Sequence, residues 1–276
     1  MAAVTWKGWR VLKYVLVIVL AVISLFPIYI MITTSLKTRV EVFTIPPIWF
    51  FTPKIGNYVS VLQTLNFFRF FMNSVIIGLS STILSIGFGA MAAYALARFR
   101  FMGYRVVLTS TLFLRMIAPV VLVIPIFILW TKLGIVNTRY SVILSYIALN
   151  LPFCIWILRT FILDIPISIE ESALIDGCGE FTIFSRIIVP LIMPGLSVAA
   201  IFTFRIAWNE FPLALVLTNR YTRTLPVAVA LFMTTTGIDW SQITAIATII
   251  AIPAFIFTFV AAKNVIMGLT AGAVKG

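Results

Sequence analysis

The chain contains no histidine, and only 10% of its 276 residues are charged. The first absence removes Ser-His-Asp triads, His-ligated zinc, His-held haem and histidine general bases together. The second removes a soluble globular enzyme, whose composition carries about 25% charged residues. Cysteine is scarce too. Cys154 lies in an apolar run and Cys178 in a polar loop, so neither a disulfide framework nor a metal knuckle is expected. No glycine is followed by lysine, so the phosphate-cradling G-x-x-x-x-G-K-[ST] loop is missing. If ATP drives this protein, another chain binds the nucleotide and its Mg.

What is present is apolar sequence: 62% of residues are hydrophobic and the mean hydropathy is +1.15. Twenty basic residues outweigh eight acidic ones, a net charge of +12. A nucleic-acid binder would gather that charge into a polar patch. Here most basic residues stand singly between apolar runs, so no nucleic-acid partner is expected and the lipid bilayer is.

A helix needs about 20 mostly apolar residues to cross a bilayer. Six stretches qualify: 14–32, 71–97, 106–130, 141–158, 187–208 and 243–262. The first follows Lys7, Arg10 and Lys13, is too long for a signal-peptide core, and reads as an uncleaved span. Period-2 alternation is missing, which disfavours a β-barrel, and no internal repeat is visible. The fold class is an all-α integral membrane protein with six transmembrane helices. An even number of spans places both termini on one side. With the termini inside, ten basic residues fall in inner segments against eight in outer ones. The compact clusters at 7–13 and 98–105 support that orientation, with both termini cytoplasmic.

The loop 159–186 differs from the others. Five of the eight acidic residues, Asp164, Glu170, Glu171, Asp176 and Glu180, lie in it. Pro166 ends the fourth span. Ser168 and Glu171 have capping-box spacing, which predicts a short helix starting near Ile169. Gly177 and Gly179 break that helix. Phe181, Phe184 and Ile188 then recur at i, i+3, i+7 as a second amphipathic turn. Pro190 and Pro194 open the next span. Spacing alone admits two readings: a solvated connection with an ordinary cap, or a stiff elbow that docks on a partner.

The residues of that elbow carry a resemblance. Glu171-Ser172-Ala173-x-x-Asp176-Gly177, followed by Phe184, Ile187, Pro190-Leu191 and Pro194, resembles the "EAA" motif of ABC-importer permeases, E-A-A-x-x-D-G-A, a Phe, an Ile and P-L-x-x-P. It departs at two small positions, Ser172 and Cys178. Trp208-Asn209-Glu210-Phe211 with the following A-L-V-L-T-N and T-L-P-V-A-V-A-L-F, and the terminus G-L-T-A-G-A-V-K-G, are similar to the carbohydrate branch of the family, to which the second membrane subunit of the maltose importer belongs. The resemblance implies a type I ABC-importer permease fold: an N-terminal helix and outer loop over 1–70, a core domain over 71–263, and a cytoplasmic tail over 264–276. It implies a homologous second permease, a dimer of ATP-binding subunits that hold ATP and Mg, and a soluble binding protein that delivers a sugar or polyol. The stretch 169–180 would be the cytoplasmic coupling helix, with Glu170, Glu171, Ala173, Asp176, Gly177, Phe181 and Phe184 meeting the ATPase. Gly272, Ala273, Lys275 and Gly276 would reach between the ATPase subunits. The membrane is then a bacterial or archaeal cell (inner) membrane.

Further residues each admit two roles. Ser81, Ser85, Gly89, Ala93 and Ala97 recur every four positions, a stripe suited to close helix packing more than to ligand contact. Arg115 and Arg205 are charges inside spans. Such charges normally face protein or water and mark a pathway, or they snorkel, and Arg205 has Glu210 in reach as a partner. Asn150, beside Pro152, either hydrogen-bonds a sugar hydroxyl or satisfies backbone freed by the proline. Asn209 joins these as a substrate-path candidate. Phe43, Trp49, Phe50, Phe51 and Tyr58 form an interfacial belt or a docking face for a binding protein. The rival to an importer subunit is a stand-alone secondary transporter or channel. Spans without internal acids argue against proton or sodium coupling. A membrane-embedded enzyme lacks a general-base pair.

Overall fold

The computed structural model describes the backbone of residues 2–64, 66–230, 233–234 and 237–273, and the side chains of 9, 11–63, 66–230 and 239–260. It is helical. Helices α1 (Ala2–Ser35), α2 (Phe67–Arg98), α5 (Arg139–Leu163) and α9 (Trp240–Ala273) are long and apolar enough to cross a membrane. Two bent pairs complete the set. Helix α3 (Tyr104–Met116) meets α4 (Pro119–Lys132) at 104°, and the segment Glu180–Leu191 meets α7 (Met193–Asn209) at 76°. Counting each pair once gives up to six spans. Between them lie α6 (Ile167–Ile175) and α8 (Pro212–Leu217).

The third expected span, 106–130, is therefore not a straight rod. Hydropathy runs unbroken through it, but Ile117 and Ala118 are extended, at ψ 121° and 132°. Pro119 is the cause: its ring pushes the residue before it out of the helical region, and its own fixed φ suits the first position of a new helix. The fifth span, expected from 187, straightens only at Met193, after Pro190.

Two compact units emerge. One combines 1–67 with 229–252, the other 68–228 with 253–276. In the first, the end of α1 is tied to the segment that follows it. The Ser35 hydroxyl and the Tyr58 phenol lie 2.6 Å apart, and the Asn57 amide donates to the carbonyls of Ser35 and Lys37. Thr38 and Glu41 form a reciprocal capping box on the helical turn Arg39–Val42. Phe43, Trp49 and Phe50 of the aromatic set are exposed, whereas Tyr58 is held inward by Ser35. A two-residue ladder pairs Met233–Thr234 with Gly237–Ile238.

The second unit holds two cores. Toward one end, Ile77, Val142, Tyr146, Ala207, Leu213 and Leu217 pack together. Toward the other, Ala93, Cys154, Leu158, Ile162, Ile188 and Ala199 form a larger cluster. Helices α2 and α5 run parallel, because Asn73 meets Arg139, Gly89 meets Cys154 and Leu96 meets Arg159 in order along both. The small-residue stripe is the contact surface. Ser81, Ser85 and Ala93 are fully buried, and a Cβ on Gly89 would stand 2.5 Å from the Cβ of Cys154. Only glycine allows that approach.

Candidate functional site

The elbow begins where α5 ends at Leu163 and Pro166 takes an extended conformation. Helix α6 starts at Ile167, not near Ile169, and the capping box expected from Ser168 and Glu171 does not form. Ser168 is already helical, and its carbonyl accepts the Ser172 hydroxyl at 2.8 Å. Pro166 replaces the cap: the amide hydrogen it lacks has no partner at a helix start anyway.

At its other end, α6 closes with a left-handed glycine. Gly177 has φ +84°; its N–H donates to the Leu174 carbonyl at 3.0 Å, and the Cys178 N–H donates to the Ala173 carbonyl at 2.9 Å. These paired bonds consume carbonyls that a helix end otherwise leaves orphaned. The chain resumes as a short helix, Glu180–Ile183, and widens into a π-turn, Phe184–Ile188, where the Val189 N–H reaches back to the Phe184 carbonyl. Pro190 follows directly; its ring clashes with the carbonyl four residues back, so the widened turn relieves a steric conflict.

The elbow has an inner and an outer face. Glu170 is buried, and its carboxylate accepts from the Arg98 Nε at 2.5 Å and the Tyr94 hydroxyl at 2.9 Å. Arg98 also donates from Nη2 to the Ile165 carbonyl at 2.9 Å. Ala173 and Ile183 are buried beside this group in the larger core. Outward stand Glu171 and Asp176, with Ile175 at 87% and Phe181 at 76% exposure. Phe184 is half-buried against the Tyr94 ring, centroids 5.3 Å apart. An open groove of ≈ 250 Å³ runs beside it, lined by Met91, Tyr94, Phe99, Glu180, Phe181 and Phe184. The residues expected to meet the ATPase grouped Glu170 and Ala173 with the outward ones; the structure turns both inward, Glu170 onto α2. Tyr94 and Arg98 escaped the sequence reading, although their i, i+4 spacing at the end of α2 marks one helical face.

The far end of α2 is tied down as well. Asn73, fully buried, donates to the carbonyls of Tyr221 and Arg223, both at 2.9 Å, and accepts from the Arg139 Nε at 2.8 Å. The Ser74 hydroxyl accepts the Leu225 N–H at 2.7 Å.

The substrate-path candidates fall into two places. Asn150 is buried in α5, and among the described residues neither atom of its amide has a hydrogen-bond partner, so it does not satisfy backbone freed by Pro152. Arg205 does not pair with Glu210. That carboxylate accepts from the Tyr146 hydroxyl at 2.7 Å and from the N–H groups of Leu213 and Ala214, capping α8. The amide of exposed Asn209 donates to the Arg205 carbonyl one turn back. Arg115 and Arg205, both exposed, are joined through two rings. Arg115 lies over Phe153 at 4.6 Å, Phe153 meets Phe202 edge-on at 5.6 Å, and Arg205 lies over Phe202 at 5.9 Å. The side chains of Gly272 and Ala273, and the whole of Lys275 and Gly276, lie outside the described residues.

Residues 85–269 match the family described as "Binding-protein-dependent transport system inner membrane component". The chain is 36% identical over 271 residues to the trehalose/maltose transport system permease protein MalG of Thermococcus litoralis, covering 97% of each. It is 35% identical over 268 residues to the sulfoquinovosyl glycerol transport system permease protein SmoH of Agrobacterium fabrum, covering 96% of this chain and 94% of the relative. Its fold matches that of a bacterial ABC transporter involved in the import of the acidic polysaccharide alginate, with a TM-score of 0.74 at 22% identity over 93% of this chain and 96% of the other. Bent spans, a motif-bearing elbow and these matches agree: the chain is a transport subunit rather than an enzyme, and it belongs to the family of inner-membrane permease components of binding-protein-dependent ABC importers.

Proposed function

We propose that this chain forms half of the translocation path of an ATP-driven importer for a sugar or polyol, and that α6 is the coupling helix that receives the stroke of a partner ATPase. The supporting observation is the division of the elbow's faces. Ile175 and Phe181 expose large apolar side chains next to Glu171 and Asp176, while Glu170, Ala173 and Ile183 root the same segment in the bundle. Apolar side chains presented together outside the hydrocarbon mark a protein contact. The partners are a homologous permease, a dimer of ATP-binding subunits carrying ATP and Mg, and a soluble binding protein. Both termini lie in the cytoplasm, and the tail reaches between the ATPase subunits. The relatives' names span neutral and acidic glycans, which supports a carbohydrate cargo.

The rooting gives the stroke a route. Among the four spans made of one long helix, α1, α5 and α9 contain Pro27, Pro152 and Pro253, and α2 alone contains no proline. Arg98 couples its inner end to α6 and Asn73 couples its outer end to the turn around Tyr221 and Arg223. The intervening helix is about 37 Å long at about 1.5 Å rise per residue, enough to span the bilayer. A displaced α6 therefore moves α2 as a rod, and alternating access follows as rigid-body rocking.

Cross-linking tests the reading. A thiol introduced by Ile175→Cys should form a cross-link to the ATP-binding subunit in the purified complex, and ATP should change its yield. An Ile175→Cys that reacts only with water-borne reagents, in a complex that holds its ATPase, would refute the assignment of α6.

A further inference from the structure

Charge inside the spans is of one sign. The eight acidic residues of the chain all lie outside the six apolar stretches, whereas Arg115 and Arg205 lie within them. Phe153 stands near the middle of α5, Phe202 near the middle of α7, and Arg115 beside the break between α3 and α4. The cation–ring–ring–cation ladder thus lies deep in the bilayer and links three separate spans. Among the described residues neither guanidinium has a carboxylate within ion-pair distance. Both arginines are exposed on the chain, and Phe202 is 44% exposed beside them.

Hydrocarbon cannot cover that face. A guanidinium at this depth turns to protein or to a water-filled path, and its unpaired charge marks an ion or substrate route. The face carrying the ladder is then the one turned to the translocation path. A cation seated on a ring keeps its planar N–H fork free for a bidentate oxyanion. The two rings between the forks supply apolar surface, and a few fixed polar groups on an apolar wall are the usual make-up of a small-molecule site.

We infer that Arg115, Phe153, Phe202 and Arg205 form a transmembrane subsite for an acidic sugar, one carrying a carboxylate, sulfonate or phosphate. The inference rests on the importer reading and narrows its cargo. The arginines bind the anionic group in turn as the cargo passes, and the phenyl rings pack against the sugar's apolar face. A carboxylate of the second permease is the competing occupant of the same charge, and the test separates the two.

The intact importer, purified with its second permease and ATPase subunits, is titrated with cellobiose and with its uronic-acid counterpart, which differ at one carboxylate, and with sulfoquinovosyl glycerol. Binding is read as a saturable rise in the thermal midpoint. At least one acidic probe should stabilise the complex where cellobiose does not. Arg115→Gln and Arg205→Gln should each weaken that binding about tenfold, with Arg100→Gln, on the inner loop, as the unaffected control. Equal shifts from neutral and acidic probes, no shift from any acidic probe, or acidic binding that survives both substitutions would overturn the inference. So would release of the second permease by Arg115→Gln or Arg205→Gln, since the arginines would then belong to the subunit interface. Failure of the importer reading shows separately, because no ATPase then co-purifies with the parent chain.

Discussion

Removing one partner of the Arg98–Glu170 pair should cost far more than removing both. The two side chains are only 8% and 9% exposed, so each charge has surrendered most of its hydration. At an effective dielectric of about 20 and a charge separation of about 4 Å, their attraction is about 4 kcal/mol. Desolvation consumes several kcal/mol per ion, which leaves the intact pair near break-even against an apolar isostere. Deleting one partner keeps the desolvation cost and forfeits the attraction. Arg98→Met strands a carboxylate whose remaining hydrogen bond is the Tyr94 hydroxyl. Glu170→Met strands a guanidinium on the Ile165 carbonyl. Each should destabilise by about 3–5 kcal/mol, and the double Met variant by about 1 kcal/mol or less. In a thermal-melt cycle on the purified complex, each single variant should melt on the order of 10 °C lower, with most of that recovered in the double. Additive losses, with the double variant worst of all, would refute the reasoning and show that the two side chains stabilise the fold independently of each other.

Gly177→Ala should cost about 1–2 kcal/mol, since φ +84° is left-handed although the space around Gly177 is open; Gly177→Asn should cost less, and differential scanning fluorimetry with both variants checks the order. Gly89→Ala should loosen the contact between α2 and α5 and lower the melting midpoint; adding Cys154→Gly, which removes the opposing Cβ, should restore part of it. Asn150→Leu should raise the midpoint by removing a buried amide with no partner among the described residues, and a fall would mean that the amide is engaged. In the loop after α1, the Thr38 backbone N–H and hydroxyl hold the Glu41 carboxyl below its ordinary value of 4.5. A lowered folded-state pKa gives stability that is present above the unfolded value and fades as pH falls through the folded one. Hydrogen exchange of the turn Arg39–Val42 should therefore speed up on acidification below about 4.5, and Thr38→Val, which removes the hydroxyl but keeps the backbone N–H, should weaken that dependence without abolishing it.

The sequence revealed the spans and the elbow because both are written in composition. Apolar runs of bilayer length need no partner to be recognised, and the two glycines and three prolines between 166 and 194 punctuate the chain in any context. Direction was harder to read. The 104° turn at Ile117–Ala118 leaves hydropathy untouched, and only Pro119 marked it. Rotation about the helix axis was not readable at all for adjacent residues. Glu170 and Glu171 differ by about 100° around α6, which sends one to Arg98 and the other to water, whereas the resemblance placed both against the ATPase. The ladder through Phe153 and Phe202 escaped notice for a related reason. Two phenylalanines among 24 carry no signal until tertiary packing sets them between two arginines.

The near-neutral stability expected of the double Met variant raises the question of what the buried pair does instead. Apolar side chains at 98 and 170 would hold α6 against α2 about as firmly, but they would permit sliding, because dispersion has no preferred direction. Arg98 fixes direction: one guanidinium nitrogen binds Glu170 on α6 and another binds the Ile165 carbonyl just before it, so both translation and rotation of α6 relative to α2 are set. The lever proposed for α6 would need that definition more than it needs binding energy. The double variant, melting near the parent and retaining its ATPase subunits, should transport less sugar for each ATP hydrolysed. Exchange to Arg98→Glu with Glu170→Arg, which restores a directional pair, should recover part of the ratio. Parent-level transport per ATP in the double Met variant would show that packing alone carries the stroke, and that the ionic contact only fixes how the elbow folds.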